Sequence, residues 1–156
     1  MGAAKSHDDR VRRALDTIRE SGGRVTGSTR QVISILAESP GHLTAEDLIA
    51  QVELRTPGVS PSTIYRVIHR LNQLNVVEHI HSGNGPAFYH LHEQAHAHLL
   101  CTECGAITDV PDAIFRSVSK AVRSSYDFVV APRHSAVLGH CVTCAPGPSS
   151  THGHEA

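Results

Sequence analysis

Apolar residues recur at helical spacing through the first half of the chain and alternate with polar ones through much of the second. Between Asp8 and Ser21, Val11, Ala14, Leu15 and Ile18 share one helical face, and Gly22-Gly23 ends the pattern. Ser28-Thr29-Arg30-Gln31 has the form of a capping box and leads into Val32, Ile33, Ile35 and Leu36, a second helix that Pro40-Gly41 closes. Thr44-Ala45-Glu46-Asp47 opens a third, with Leu48, Ile49 and Val52 on its apolar face. Ser60-Pro61 is a cap followed by proline at the first helical position, and Ile64, Ile68, Leu71 and Leu74 then form one stripe as far as Asn75. The opposite face of that fourth helix presents Ser62, Thr63, Tyr65, Arg66, His69 and Arg70.

After Asn75 the period shortens. Val76 to His81 and Ala87 to Leu91 read as two strands joined through Ser82-Gly83-Asn84-Gly85-Pro86, a hairpin or wing. Short strands are expected at His98 to Cys101 and Ala106 to Val110, a helix from Pro111 to Ser125, and strands again at Phe128 to Ala131 and Ala136 to Gly139. The expected class is α+β. A winged helix-turn-helix spans residues 1–90, with the Ser60 helix in the recognition position. A small α/β unit follows over 91–145, and 146–156 forms a polar, disordered tail.

Composition narrows the function classes. At 156 residues and 4% aromatic, with no Trp, the cores rest on Leu, Ile, Val and Ala. Residues 1–90 hold 10 Lys and Arg against 9 Asp and Glu, and residues 91–156 hold 4 against 6. DNA contact therefore has to come from a local patch, not from bulk charge. Met1 to Arg13 is polar and no apolar run reaches the length of a membrane span, so a cytoplasmic protein with no membrane partner is expected.

The chemistry is concentrated. Six of the 13 histidines lie between His79 and His98. All 4 cysteines fall in two CxxC pairs, Cys101/Cys104 and Cys141/Cys144. Two such knuckles brought together make a closed tetrahedral Zn2+ site; a redox dithiol is the alternative. His96-x-His98 sets two imidazoles on one face of an extended segment, and His90 and His42 can complete a four-nitrogen site. His79-x-His81 is a second same-face pair with His134 as a distant partner, or else a solvated strand face. His92-Glu93-Gln94-Ala95-His96 matches the HExxH peptidase signature. That motif needs both histidines on one helix, and here it lies between strand-like segments, so a metallopeptidase is only a remote alternative.

These features together resemble the ferric uptake regulator family over about residues 8–144. The match is carried by Arg24-Val25-Thr26 with Thr29-Arg30-Gln31, by His42 to Leu48, by Ser62-Thr63-Ile64-Tyr65-Arg66-Val67, and by His96 to Gly105 with Cys141 to Cys144. The resemblance implies a homodimeric, metal-dependent repressor that binds an inverted-repeat operator in double-stranded DNA. Arg30, Ser62, Thr63, Tyr65, Arg66 and Arg70 would contact DNA. His42 would be the sensing ligand from the reader half, and His96 and His98 the pair from the hinge side. His90 takes a position where members carry Glu, Asp, Cys or His, and His92 competes for it because the gap to His96 is one residue shorter than in iron-type members. Peroxide sensors use an Asp ligand, and none is evident here. Nickel-type members pair His-x-His on the wing with a distant His, as His79, His81 and His134 would. The resemblance thus favours Ni2+ as regulatory metal, with Zn2+ next and Fe2+ as a further alternative, beside a structural Zn2+ at the four cysteines.

Overall fold

The computed structural model describes residues 6–81, 85–92, 96–130 and 136–145. Helix α1, His7–Glu20, starts where the Ser6 side chain accepts from the Asp9 amide, with Asp8 and Asp9 favourably placed at its positive end. It buries Ala14, Leu15 and Ile18. Helix α2, Gly27–Glu38, begins earlier than its sequence pattern suggests. Thr26 is the cap: its backbone is extended and its Oγ1 accepts from the Thr29 amide at 3.1 Å, so Ser28 lies inside the first turn.

A two-residue strand β1, Leu43–Thr44, runs directly into α3, Ala45–Arg55, through a reciprocal capping box between Thr44 and Asp47. Helix α4, Pro61–Gln73, is capped by Ser60 and buries Ile64, Ile68 and Leu71. It ends through Asn75 at φ +53°, a left-handed position that turns the chain so that the Val76 amide donates to the Leu71 carbonyl.

Strands β2, Val77–His81, and β3, Ala87–Leu91, pair antiparallel, and β1 adds to the far side of β3 with Leu43 opposite Tyr89. A second sheet has β4, His96–Cys101, at its centre. Antiparallel to β4 lies β5, Ile107–Pro111, and parallel to it β6, Ala136–Gly139. Between them a 3-10 turn at Asp112–Phe115 leads into α5, Arg116–Tyr126. The single helix expected from Pro111 is therefore split, because Pro111 is still paired as the last residue of β5. Residues 128–130 form no strand, and Phe128 and Val129 are exposed. Ala131 lies outside the described residues.

Helices α1 to α4 and the first sheet enclose one continuous apolar core, with Ile33, Leu36, Leu48, Val52, Ile64, Leu71 and Val77 almost inaccessible. The second sheet buries much less. Ala97, His98, Leu100 and Cys101 of β4 are covered, whereas α5 buries no side chain and Ile114, Val118, Val137 and Leu138 stand exposed.

Candidate metal centre

Two sheets contribute to one histidine cluster. His42 precedes β1, and because β1 lies against β3 its ring reaches His90, the centroids being 4.6 Å apart. His96 and His98, two residues apart on β4, bring their rings to the same point; His98 is 5.0 Å from His42 and 5.1 Å from His90. One ligand atom from each of the four lies within 4.8 Å of every other. His92 is half exposed, and its Nδ1 engages Glu78 Oε1 at 2.7 Å. Of the two competitors it is thus His90 that sits in the cluster.

The protonation states follow from this packing. His90 Nδ1 donates to the Leu91 carbonyl at 3.1 Å, so its Nε2 is left as a lone pair facing the other rings. Burial, and then repulsion from His42, His96 and His98, holds the His90 pKa down to about 3. Burial followed by the neighbouring His96 and His42 holds His98 at about 4, against the opposing pull of Asp109 and Glu78. His42 is lowered as well, chiefly by burial. Nε2 of His42, His90 and His98 is buried without a hydrogen-bond partner. Several converging, neutral, unsatisfied imidazole nitrogens are costly in a dry interior and fit a bound divalent cation.

The sequence carries no sign that Asp109 adjoins the cluster. Its Oδ1 lies 3.5 Å from His42 Nε2 and 3.6 Å from His98 Nε2. What brings it there is the β4–β5 register, which places Asp109 opposite His98. No local pattern in the chain announces that pairing.

The four cysteines form the second cluster. Cys101 ends β4, and Cys104 follows a tight turn that Gly105 closes at φ +71°. Parallel pairing of β4 with β6 sets Cys101 opposite Gly139, and the Thr102 amide donates to the Gly139 carbonyl, which brings Cys141 and Cys144 alongside. All four cysteines are free, and their sulfurs lie within 4.8 Å of one another. Cys104 Sγ and Cys141 Sγ are 3.9 Å apart. Zinc at about 2.3 Å from four tetrahedral sulfurs would separate them by about 3.8 Å, whereas a disulfide needs about 2.05 Å. Backbone amides of Cys104 and Cys141 pull the Cys101 pKa down to about 6, while Cys144, sharing protons with Cys141 and Cys104, is pushed up. The four thiols cannot all ionise together without a cation, and the donor set fits zinc.

Elsewhere, His79 and His81 on β2 face each other with Nε2 atoms 3.2 Å apart, and Asn72 of α4 touches His79 Nδ1 at 3.0 Å. His134 lies outside the described residues. His92 follows β3 and His96 opens β4, so the HExxH histidines are not stacked a turn apart on a helix; Glu93 lies outside the described residues. On α4, Ser62, Tyr65, Arg66 and Arg70 are exposed and Thr63 is partly covered. Tyr65 donates to Glu46 Oε1 at 3.3 Å, and Arg66 Nε donates to the Ser62 carbonyl. Arg30 projects from the first turn of α2 and is exposed. No helix among the described residues is long and apolar enough to cross a membrane.

Comparison with known proteins gives consistent matches. The model of the ferric uptake regulator family matches residues 20–135. The chain is similar to the ferric uptake regulation protein of Bacillus subtilis, 27% identical over 142 residues, covering 88% of this chain and 95% of that protein. Among solved structures, the Helicobacter pylori ferric uptake regulator, described as having three functional metal binding sites, aligns with a TM-score of 0.73. The identity is 20%, and the alignment covers 96% of this chain and all of that one. A zinc uptake regulator complexed with zinc and DNA aligns with a TM-score of 0.66 at 19% identity, over 90% of this chain and 95% of that one.

Proposed function

The chain belongs to the ferric uptake regulator family, a family of metal-responsive transcription regulators and not of enzymes, and from that premise we propose that it is a homodimeric repressor for which a metal acts as co-repressor at the four-histidine cluster. The observation that carries this reading is the origin of the ligands: His42 and His90 come from the sheet joined to the helical core, His96 and His98 from the second sheet. A divalent cation shared by them would cross-link the two halves. His42 and His90 then fix one side of the hinge and His96 and His98 the other. The orientation of α4 thereby becomes a function of metal concentration. In a dimer that orientation sets the spacing of two recognition helices, and only a spacing near one DNA turn, about 34 Å or a multiple, suits an inverted repeat.

Residues 1–90 are assigned as a winged-helix reader. The exposed face of α4, with Ser62, Thr63, Tyr65, Arg66 and Arg70, and Arg30 beside it, would meet the DNA. Residues 91–145 are assigned to dimerisation. Exposed Val118, Val137 and Leu138, on elements with little core of their own, suit burial against a second copy. Cys101, Cys104, Cys141 and Cys144 would hold a structural Zn2+. Ni2+ is the proposed regulatory metal, on the strength of a second site at His79 and His81 with His134, and Zn2+ is the first alternative. Asp109 favours a further reading, because a carboxylate added to imidazoles suits Fe2+ better than a purely nitrogen set. The test is operator binding by the full chain, titrated in turn with Ni2+, Zn2+, Fe2+ and Mn2+. His42→Ala and His96→Ala should keep the four-cysteine zinc yet lose metal-dependent binding. Equal operator affinity with and without each metal would remove the co-repressor role.

A further inference from the structure

The His79–His81 contact admits two states with nearly the same heavy-atom positions. At 3.2 Å the two Nε2 atoms can share a proton, one donating to the other. The same spacing suits one cation bound by both, since nitrogens about 2.0–2.1 Å from a metal lie about 3.0 Å apart at a right angle and about 3.4 Å apart in a tetrahedron. What separates the states is where His79 carries its proton, and Asn72 determines that. Its Nδ2 lies 3.1 Å from the Val77 carbonyl and 3.0 Å from His79 Nδ1. A carbonyl oxygen only accepts, so the atom facing Val77 must be the amide nitrogen. That nitrogen has only protons to offer, and His79 Nδ1 is therefore the acceptor. The proton of the neutral ring then sits on Nε2, which donates to His81 Nε2.

We infer that Asn72 couples the His79–His81 pair to helix α4 by holding His79 in the tautomer that cannot ligate through Nε2. This rests on the second-site reading proposed above. To ligate through Nε2, His79 must carry its proton on Nδ1, as metal-bound imidazoles do when they donate outward. That proton would point at the Asn72 amide protons. Asn72 has to turn its amide over or withdraw, and either movement gives up its bond to Val77. Asn72 lies in the last turn of α4 and Val77 opens β2. The bond given up is thus part of the joint between the proposed recognition helix and the wing. Cation binding at the pair and the set of α4 become two sides of one equilibrium, without any new contact at the DNA face.

The experiment uses the metal-free full chain, read by nitrogen NMR of histidine tautomers, and then titration with nickel ions by calorimetry. In the wild type His79 Nδ1 should be unprotonated. Asn72→Asp gives Nδ1 an acceptor and should move the proton there, while Asn72→Ala removes the amide that opposes such a move and leaves the ring free to change tautomer when a cation binds. Both should tighten the nickel event that His81→Ala removes, by about tenfold for the loss of one opposing hydrogen bond. If His81→Ala removes no nickel event, the second site does not exist and the coupling falls with it. If that event is present but both Asn72 variants leave it and the tautomer unchanged, the role of Asn72 is overturned while the site itself stands.

Discussion

Acidifying the metal-stripped protein should destabilise it through the histidine cluster, and both the sign and the size can be worked out. His98 titrates at about 4 in the folded chain against 6.5 for a free ring, first because it is buried and then because His96 and His42 adjoin it. Above about pH 6.5 the ring is neutral in both states and its contribution is fully present. Below that, the unfolded chain takes up a proton that the folded chain refuses. Stability then falls with pH at about 1.36 kcal/mol per pH unit until the folded ring itself titrates. Over the whole interval His98 accounts for a loss of about 3 kcal/mol, and by pH 5 for about 2 kcal/mol. His90, held at about 3, pulls in the same direction. The rings touch, so their effects do not add in full. A loss of this size is a large part of the roughly 5–15 kcal/mol typical of a domain. Urea melts of the metal-free chain at steps between about pH 7 and 5 measure it, with a His98→Gln variant as control. A midpoint that stays constant across that interval, or a variant that keeps the wild-type slope, would refute the reasoning. Adding nickel ions should steepen the dependence, because the ligated rings cannot take up protons at all.

Three substitutions probe the other parts of the reading. Cys101→Ser should strip the zinc and unfold or monomerise the second half, since a structural zinc contributes on the order of 10 kcal/mol to folding; metal analysis with sedimentation would expose a variant that stays dimeric and equally stable without zinc. Tyr65→Ala and Arg66→Ala should each weaken operator binding by about 1–3 kcal/mol at unchanged metal content. Wild-type affinity in both, measured by fluorescence anisotropy on the same operator, would show that α4 is not the reading helix.

The elements that can be read from the chain are those whose signal is local. The stripe Ile64, Ile68, Leu71, the Ser60-Pro61 start and the Thr44–Asp47 box each specify their helix within a few residues, and the structure has them there. The two CxxC pairs are legible as candidate partners because they use every cysteine in the chain, and the structure brings them together. Features that depend on pairing were not legible. β1 has two residues, too few to show a period, yet it holds His42 over His90. Asp109 reaches the cluster only through strand register. Thr26 displaces Ser28 as the cap of α2 because both offer a hydroxyl and only the backbone conformation decides between them. Phe128 and Val129 have strand-forming side chains, yet they stand exposed outside either sheet.

Strand β4 holds His96 and His98 at one end and Cys101 at the other. Three residues of extended chain, about 10 Å, separate the two chemistries. The strand is paired between β5 and β6, and the turn that secures β6 to it is the one the cysteines close. On the metal reading, loading therefore has an order: the sulfur cluster must be complete before the nitrogen cluster has a shape to offer. A cell short of zinc would hold a population divided into competent and blank molecules, not a uniformly weakened one. A chelator strong enough to reach the thiolates would erase the regulatory response abruptly, at a concentration set by the zinc affinity and not by that of the metal being sensed.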